Sequence, residues 1–147
     1  MALPSIDRFY PHRLVSARDE RKGTTSTTIA AVQEEVWGLL KPSQCVYLAT
    51  AEADQPRVRP VTLLNIEQKF WIATGSRSAK ARQILRNPNV EFCLPLTETC
   101  GTGYLRVAGV ATAEKDPETR QRIGDQISFL REYWSGPEDP NVVLIRI

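Results

Sequence analysis

RVRPVTLLNIEQKFWIATGSRSAK, residues 57–80, is the stretch on which the fold turns. Arg57 to Leu64 reads as a strand, Asn65 to Gln68 as a short polar link, and Lys69 to Thr74 as a second strand rich in aromatic and β-branched side chains. Two strands joined so tightly pair antiparallel, because a parallel return would need a long crossover. Gly75 then ends the strand. A helix opens with Ser76 or Ser78 as its cap and runs to Arg86, with Ala81, Ile84 and Leu85 as its apolar stripe.

Working outward, Val46 to Thr50 forms a strand before this pair, joined to it by the tight polar turn Glu52 to Gln55. A helix precedes it, in which Ile29, Val32, Val36 and Leu39 recur at helical spacing until Lys41-Pro42 stops them. Downstream, Asn87-Pro88 ends the second helix and Val90 to Leu94 is a fourth strand. A loop follows with Pro95 and Gly101-Thr102-Gly103, and Tyr104 to Ala113 is a fifth strand. Asp116-Pro117 starts a third helix, Asp as cap and Pro at the first helical position, continued by Ile123, Ile127, Leu130 and Trp134 to Ser135. Val142 to Ile147 is the last strand. The reading is mainly β with helices: six antiparallel strands closing into a small barrel, three helices at its openings. Helices do not alternate with strands as a Rossmann fold requires. Residues 1–25 read as a polar, flexible arm, and 26–147 as one domain.

Composition narrows the function. A net charge of +2 is too mild to hold nucleic acid by bulk electrostatics, and Asp7, Asp19 and Glu20 interrupt the arginines of the arm. No apolar run is long enough to cross a bilayer, and the N-terminus lacks the apolar middle of a secretory leader. The three cysteines have no CxxC spacing. They read as reduced thiols of a cytoplasmic protein, with Cys45 and Cys93 buried in strands. The one histidine, His12, lies in the arm, so the domain has no Ser–His or Cys–His pair. Nor do carboxylates cluster as a metal site requires. Gly101-Thr102-Gly103 leads into a strand, with Arg106 where a third glycine would stand, so it is no dinucleotide fingerprint.

The residues left are cationic and hydroxylic. Arg57 and Arg59 are two apart and share one face of their strand, and Pro60, unable to donate to a ladder, marks an edge or a bulge. Thr74, Ser76, Ser78 and Lys80 gather at the mouth of the next helix, where free N–H groups and the dipole favour an anion. Each feature has a plain structural role: serine before a helix is commonly only a cap, and arginine on a strand only surface. Together they suit a phosphate.

Six segments in this order carry a resemblance: Val46–Thr50, Pro56–Val61, Phe70–Thr74, Ser76–Lys80, Asn87–Val90 and Arg106–Gly109. They resemble the pyridoxamine 5′-phosphate oxidase-like family of FMN-binding split barrels, whose members include general stress proteins and flavin oxidoreductases. The resemblance implies FMN as cofactor, with Arg57 and Lys80 on its phosphate, helped by Thr74, Ser76 and Ser78. It sets Val58, Arg59, Pro60, Val61 and Thr62 beside the isoalloxazine ring and has Arg106 acting across a subunit boundary. It also implies a homodimer with the cofactor at the interface and a small-molecule substrate. An F420-dependent reductase, or a flavin-binding stress protein without catalysis, shares the same expected site. Three features depart from the family pattern. Asp54-Gln55 stands where many relatives have Asp-Gly, Ala79 replaces a basic residue, and the C-terminal extension that binds pyridoxine phosphates is missing after Ile147. Vitamin B6 oxidation is therefore not expected.

Overall fold

The computed structural model describes residues 29–96 and 103–147; the expected arm over residues 1–25, and Cys100, lie outside them. Helix α1 (Ile29–Gly38) leads into strand β1 (Ser43–Glu52), β2 (Gln55–Ile66) and β3 (Lys69–Gly75). Helix α2 (Ala79–Arg86) is followed by β4 (Asn89–Leu96), β5 (Gly103–Val110) and the two-residue β6 (Thr112–Ala113). Two short helices, α3 (Pro117–Gly124) and α4 (Leu130–Tyr133), precede β7 (Val142–Arg146). The strands form one antiparallel sheet in the order β5-β4-β1-β2-β3-β7-β6, curled into a half-barrel.

The hairpins are as tight as the sequence implies. Glu52 pairs with Gln55, and Ile66 with Lys69, so each loop has two residues. Glu67 and Gln68 both adopt φ 54°, the mark of a type I′ turn, whose twist matches the strands it joins. Lacking a glycine there, the chain holds two side chains in the left-handed region.

Seven strands stand where six were expected, because the long strand over 104–113 serves both edges of the sheet. Up to Val110 it pairs with β4; buried Ala111 then leaves that ladder, and Thr112–Ala113 pair with β7 at the opposite edge. This hand-over brings the two edges of the curled sheet together. Its tightness is visible at Gly109, where a Cβ would stand 2.8 Å from the Ile147 side chain. The third helix likewise is two. Gly124 is buried against Pro137, and a Cβ on it would lie 2.4 Å from the ring. Beyond it the backbone tightens into i→i+3 bonds, Gln126 to Ile123 and Ile127 to Gly124.

Two cores share the sheet. The larger fills the half-barrel with Leu48, Leu63, Ile72, Phe92 and Leu105, closed at its ends by Val36 of α1 and Ile84 of α2. Trp37 stacks on Phe70 there. The smaller lies outside β3 and β7, where Trp71 and Leu144 pack on Ile123, Ile127 and Leu130. The β2–β3 ladder covers only Leu64–Ile66 against Lys69–Trp71, so Pro60 sits where β2 has a partner on one side only. The barrel is split there. One further expectation changes on this sheet: Cys45 is exposed and Cys93 half-buried, because the pleat turns both outward rather than into the core.

Gly124→Ala is expected to lower stability by roughly 1–3 kcal/mol, because an added methyl must push Pro137 away. Urea unfolding measures it; an unchanged midpoint would mean that the α3–Pro137 packing yields freely.

Candidate functional site

The pleat of β2 sorts the expected site residues. Arg57 and Arg59 lie in phase with Val61 and Leu63, which point into the core, whereas Val58, Pro60 and Thr62 face outward and are exposed. Val61 is 9% exposed and belongs to the half-barrel core, so its side chain is not available to a ligand. The two arginines emerge where the core ends and α2 begins.

Ser78 caps α2. Its Oγ accepts from the Ala81 N–H at 3.2 Å and from the hydroxyl of buried Thr74 at 3.2 Å. With both acceptor positions used, the Ser78 hydroxyl hydrogen has no acceptor among the described residues. The helix mouth is tied to the residue just before β7 by the Ser76 N–H, which donates to the Asn141 carbonyl at 2.8 Å. Beside the mouth, Arg59 is fixed by neutral acceptors. Its Nη1 donates to Thr50 Oγ1 at 2.7 Å and to the Leu48 carbonyl at 3.4 Å, and its Nη2 to Gln83 Oε1 at 2.8 Å. Arg57 instead faces a carboxylate, Glu52 Oε2, 3.7 Å from its Nε, with both side chains about half exposed.

The charges are unbalanced. Burial, and then the Arg57 guanidinium, push the Arg59 pKa below its ordinary value. Burial, and then Arg59, lower that of Lys80 in the same way. Among the described residues neither Arg59 nor Lys80 has a carboxylate within ion-pair distance. Arg59 and Lys80 therefore concentrate positive potential at the first turn of α2, whose own N–H groups add to it, with Arg57 beside Arg59.

Arg106 is elsewhere. It is exposed on β5, hydrogen-bonded and ion-paired to Glu91, in a row across the outer face of the sheet that runs Pro60–Tyr47–Cys93–Arg106. That is three strand spacings from β2, or ~14 Å at the usual ~4.8 Å each. Among the described residues this face carries no helix between β2 and β5, and Tyr47, Val58 and Val110 are exposed on it. Two residues of the cationic cluster escape the sequence. Gln83 is buried and Leu85 is 68% exposed, the reverse of the expected stripe. Neither Gln83 nor Glu52 has a local signal, since their partners are 24 or more residues away or across a hairpin.

The profile of the family described as pyridoxamine 5′-phosphate oxidase matches residues 32–147. The chain belongs to this family. General stress protein 26 of Bacillus subtilis (strain 168) is 29% identical over 117 residues, covering 79% of this chain and 82% of the relative. The crystal structure of General Stress Protein 26 from Bacillus anthracis str. Sterne superposes with a TM-score of 0.65 at 27% identity, over 79% of this chain and 87% of the other. An FAD-binding protein from Mesorhizobium loti has the same fold, with a TM-score of 0.61 at 20% identity over 78% of this chain and 84% of that one. The half-barrel with its helices is thus the split barrel of the family.

Ser78→Ala should destabilise the protein by about 1–2 kcal/mol, removing the cap and orphaning the Thr74 hydroxyl. Adding Thr74→Val should restore part of the loss. Equal loss in single and double variants, measured by urea unfolding, would show that the two hydroxyls do not act together.

Proposed function

We propose that the cationic cluster at the mouth of α2 holds the phosphate of FMN, and that the protein is a flavin-dependent oxidoreductase working as a homodimer on a small molecule. One observation carries the reading. Arg59 and Lys80 stand together, partly buried, without a carboxylate to neutralise them. A phosphate dianion relieves that repulsion and accepts from the unused guanidinium hydrogens, the Ser78 hydroxyl and the first N–H groups of α2. The fit is good: the donors are strong and stand at the end of the half-barrel where α2 begins, and β2, which carries Val58, Pro60 and Thr62 on its other face, runs past them. Bound flavin supplies hydride and electron transfer. The chain's own part is to anchor the phosphate, to desolvate it, and to present the β2 surface beside it.

The outer face from β2 to β5 supports the second half of the reading. Tyr47 and Val58 are exposed on the side where Pro60 and Thr62 lie, and a second copy would bury them. Across such an interface, a partner's Arg106 could reach the site.

Arg57→Ala and Lys80→Ala should each weaken FMN binding by roughly 10- to 100-fold, one charge-assisted bond apiece. Flavin fluorescence quenching reads this, and unchanged affinity in both variants would reject the site. F420 retained in place of FMN would reject the cofactor while keeping the phosphate pocket.

The pH dependence follows from the charges. Affinity should hold from ~6, where the phosphate becomes a dianion, up to the alkaline range in which Lys80, its pKa lowered by burial and then by Arg59, loses its proton. Above that it should fall, because the cation is lost. Lys80→Arg should carry the alkaline limit upward; an unmoved limit would mean that another group sets it.

Tyr47→Arg should convert a dimer to a monomer in sedimentation. A wild-type protein that is monomeric throughout the micromolar range would overturn the dimer.

A further inference from the structure

Gln83 is a deeply buried polar side chain of α2 that the proposed chemistry does not use. It is 4% exposed and placed by α2 against β1 and β2. Its Oε1 accepts twice, from the Thr50 hydroxyl at 2.7 Å and from Arg59 Nη2 at 2.8 Å. Its Nε2 donates to Glu52 Oε2 at 3.2 Å. The amide orientation is over-determined: flipped, it would set its NH2 group against the Arg59 donor and its oxygen against a carboxylate. The same Glu52 oxygen stands 3.7 Å from Arg57 Nε. One neutral amide therefore touches both arginine systems, holding the first guanidinium directly and the second through its counter-ion.

Three bonds occupy three of the five Arg59 N–H groups, which leaves two for an anion. A carboxylate in place of the amide would cancel the charge of Arg59, and an apolar side chain would let it swing. An amide orients without neutralising. Glu52, in turn, occupies Arg57 until something more negative replaces it, so a dianion competes with a monoanion for the same guanidinium.

Given a phosphate monoester between Arg57, Arg59 and Lys80, as proposed above, the geometry points to Gln83 as the residue that positions the site. Its amide aims Arg59 at the phosphate and holds Glu52 as the displaceable counter-ion of Arg57. Gln83 is a positioning residue, since it acts through the arginines and not on the ligand.

Binding of FMN and of riboflavin, which lacks the phosphate, separates positioning from mere packing. Gln83→Leu should weaken FMN binding about 10-fold and leave riboflavin unchanged; equal losses for both flavins would make Gln83 structural only. In an Arg59→Ala background Gln83→Leu should have little further effect on FMN, and an undiminished 10-fold loss there would overturn the link through Arg59. Gln83→Glu preserves the acceptor for Thr50 and Arg59, while its second oxygen faces Glu52 and gives up that bond. It should lose FMN affinity at least as strongly as Gln83→Leu, because it neutralises Arg59, and wild-type affinity in it would reject the proposal. Glu52→Gln should tighten FMN several-fold by releasing Arg57, a gain that misfolding cannot mimic; weaker FMN binding would contradict the counter-ion role. Thermal melting with inorganic phosphate gives a flavin-free check, with stabilisation of the wild type that shrinks in Gln83→Leu. Failure of the phosphate reading itself has its own signature. The wild type would then bind FMN no better than riboflavin, and Arg57→Ala would change nothing.

Discussion

The pleat of β2 governs what the molecule can do. With side chains alternating between faces, the strand that supplies Val61 and Leu63 to the core must bring Arg57 and Arg59 to the same side, four and two residues before Val61. Guanidinium groups cannot be sunk among those leucines and valines without acceptors. They surface at the end of the barrel, where β2 has lost β3 as a partner and α2 has arrived with Ser78, Gln83 and the ends of its own N–H ladder. The cationic cluster, the split in the barrel and the placement of α2 are therefore consequences of one strand running on beyond its core.

How those cations are tolerated matters as much as where they are. The Arg59 guanidinium rests on a hydroxyl, a carbonyl and an amide oxygen, all neutral. Neutral acceptors satisfy hydrogens while leaving the charge intact, so the potential of the group remains available. Elsewhere on the surface the protein does the opposite: Arg106 is matched with Glu91 and Arg122 with Glu67, and those pairs have spent their field on each other. The contrast separates an arginine whose charge no described carboxylate neutralises from arginines that are already matched.

Much of this was legible in the sequence. Polar and apolar runs located the helices, the strands and the polar links of the hairpins, because these features are written in neighbouring residues, although the link over 65–68 is shorter in the fold, with Asn65 and Ile66 in the ladder. The two arginines and the hydroxyls at the helix mouth were legible for the same reason. The long strand over 104–113 was not, since its division at Ala111 is imposed by closure of the sheet, and nothing local marks where one edge hands over to the other. Gly124 hid the break between α3 and α4 because the residue that needs its missing side chain, Pro137, is brought there only by the fold. Gln83 was hidden by its type, a polar residue in a helix that reads as solvated until Thr50, Arg59 and Glu52 are placed around it. Leu85, the stripe residue that is exposed instead, is the other half of that misreading.

The pairing of β3 with β7 carries a consequence for how the chain reaches this shape. Trp71 lies opposite Arg146, and Ile72 opposite Ile145, so two adjacent strands are made far apart in time as well as in sequence. A nascent chain can complete the β1–β2–β3 meander early, but the free edge of β3 must wait for nearly all that follows before it is covered. Sheets joined by such distant contacts fold in milliseconds to seconds, well behind local helices. During that interval Trp71, later fully buried by α3, α4 and β7, is exposed beside an unpaired strand edge. The same late strand that seals the barrel thus sets the window in which the newborn protein is most exposed to aggregation.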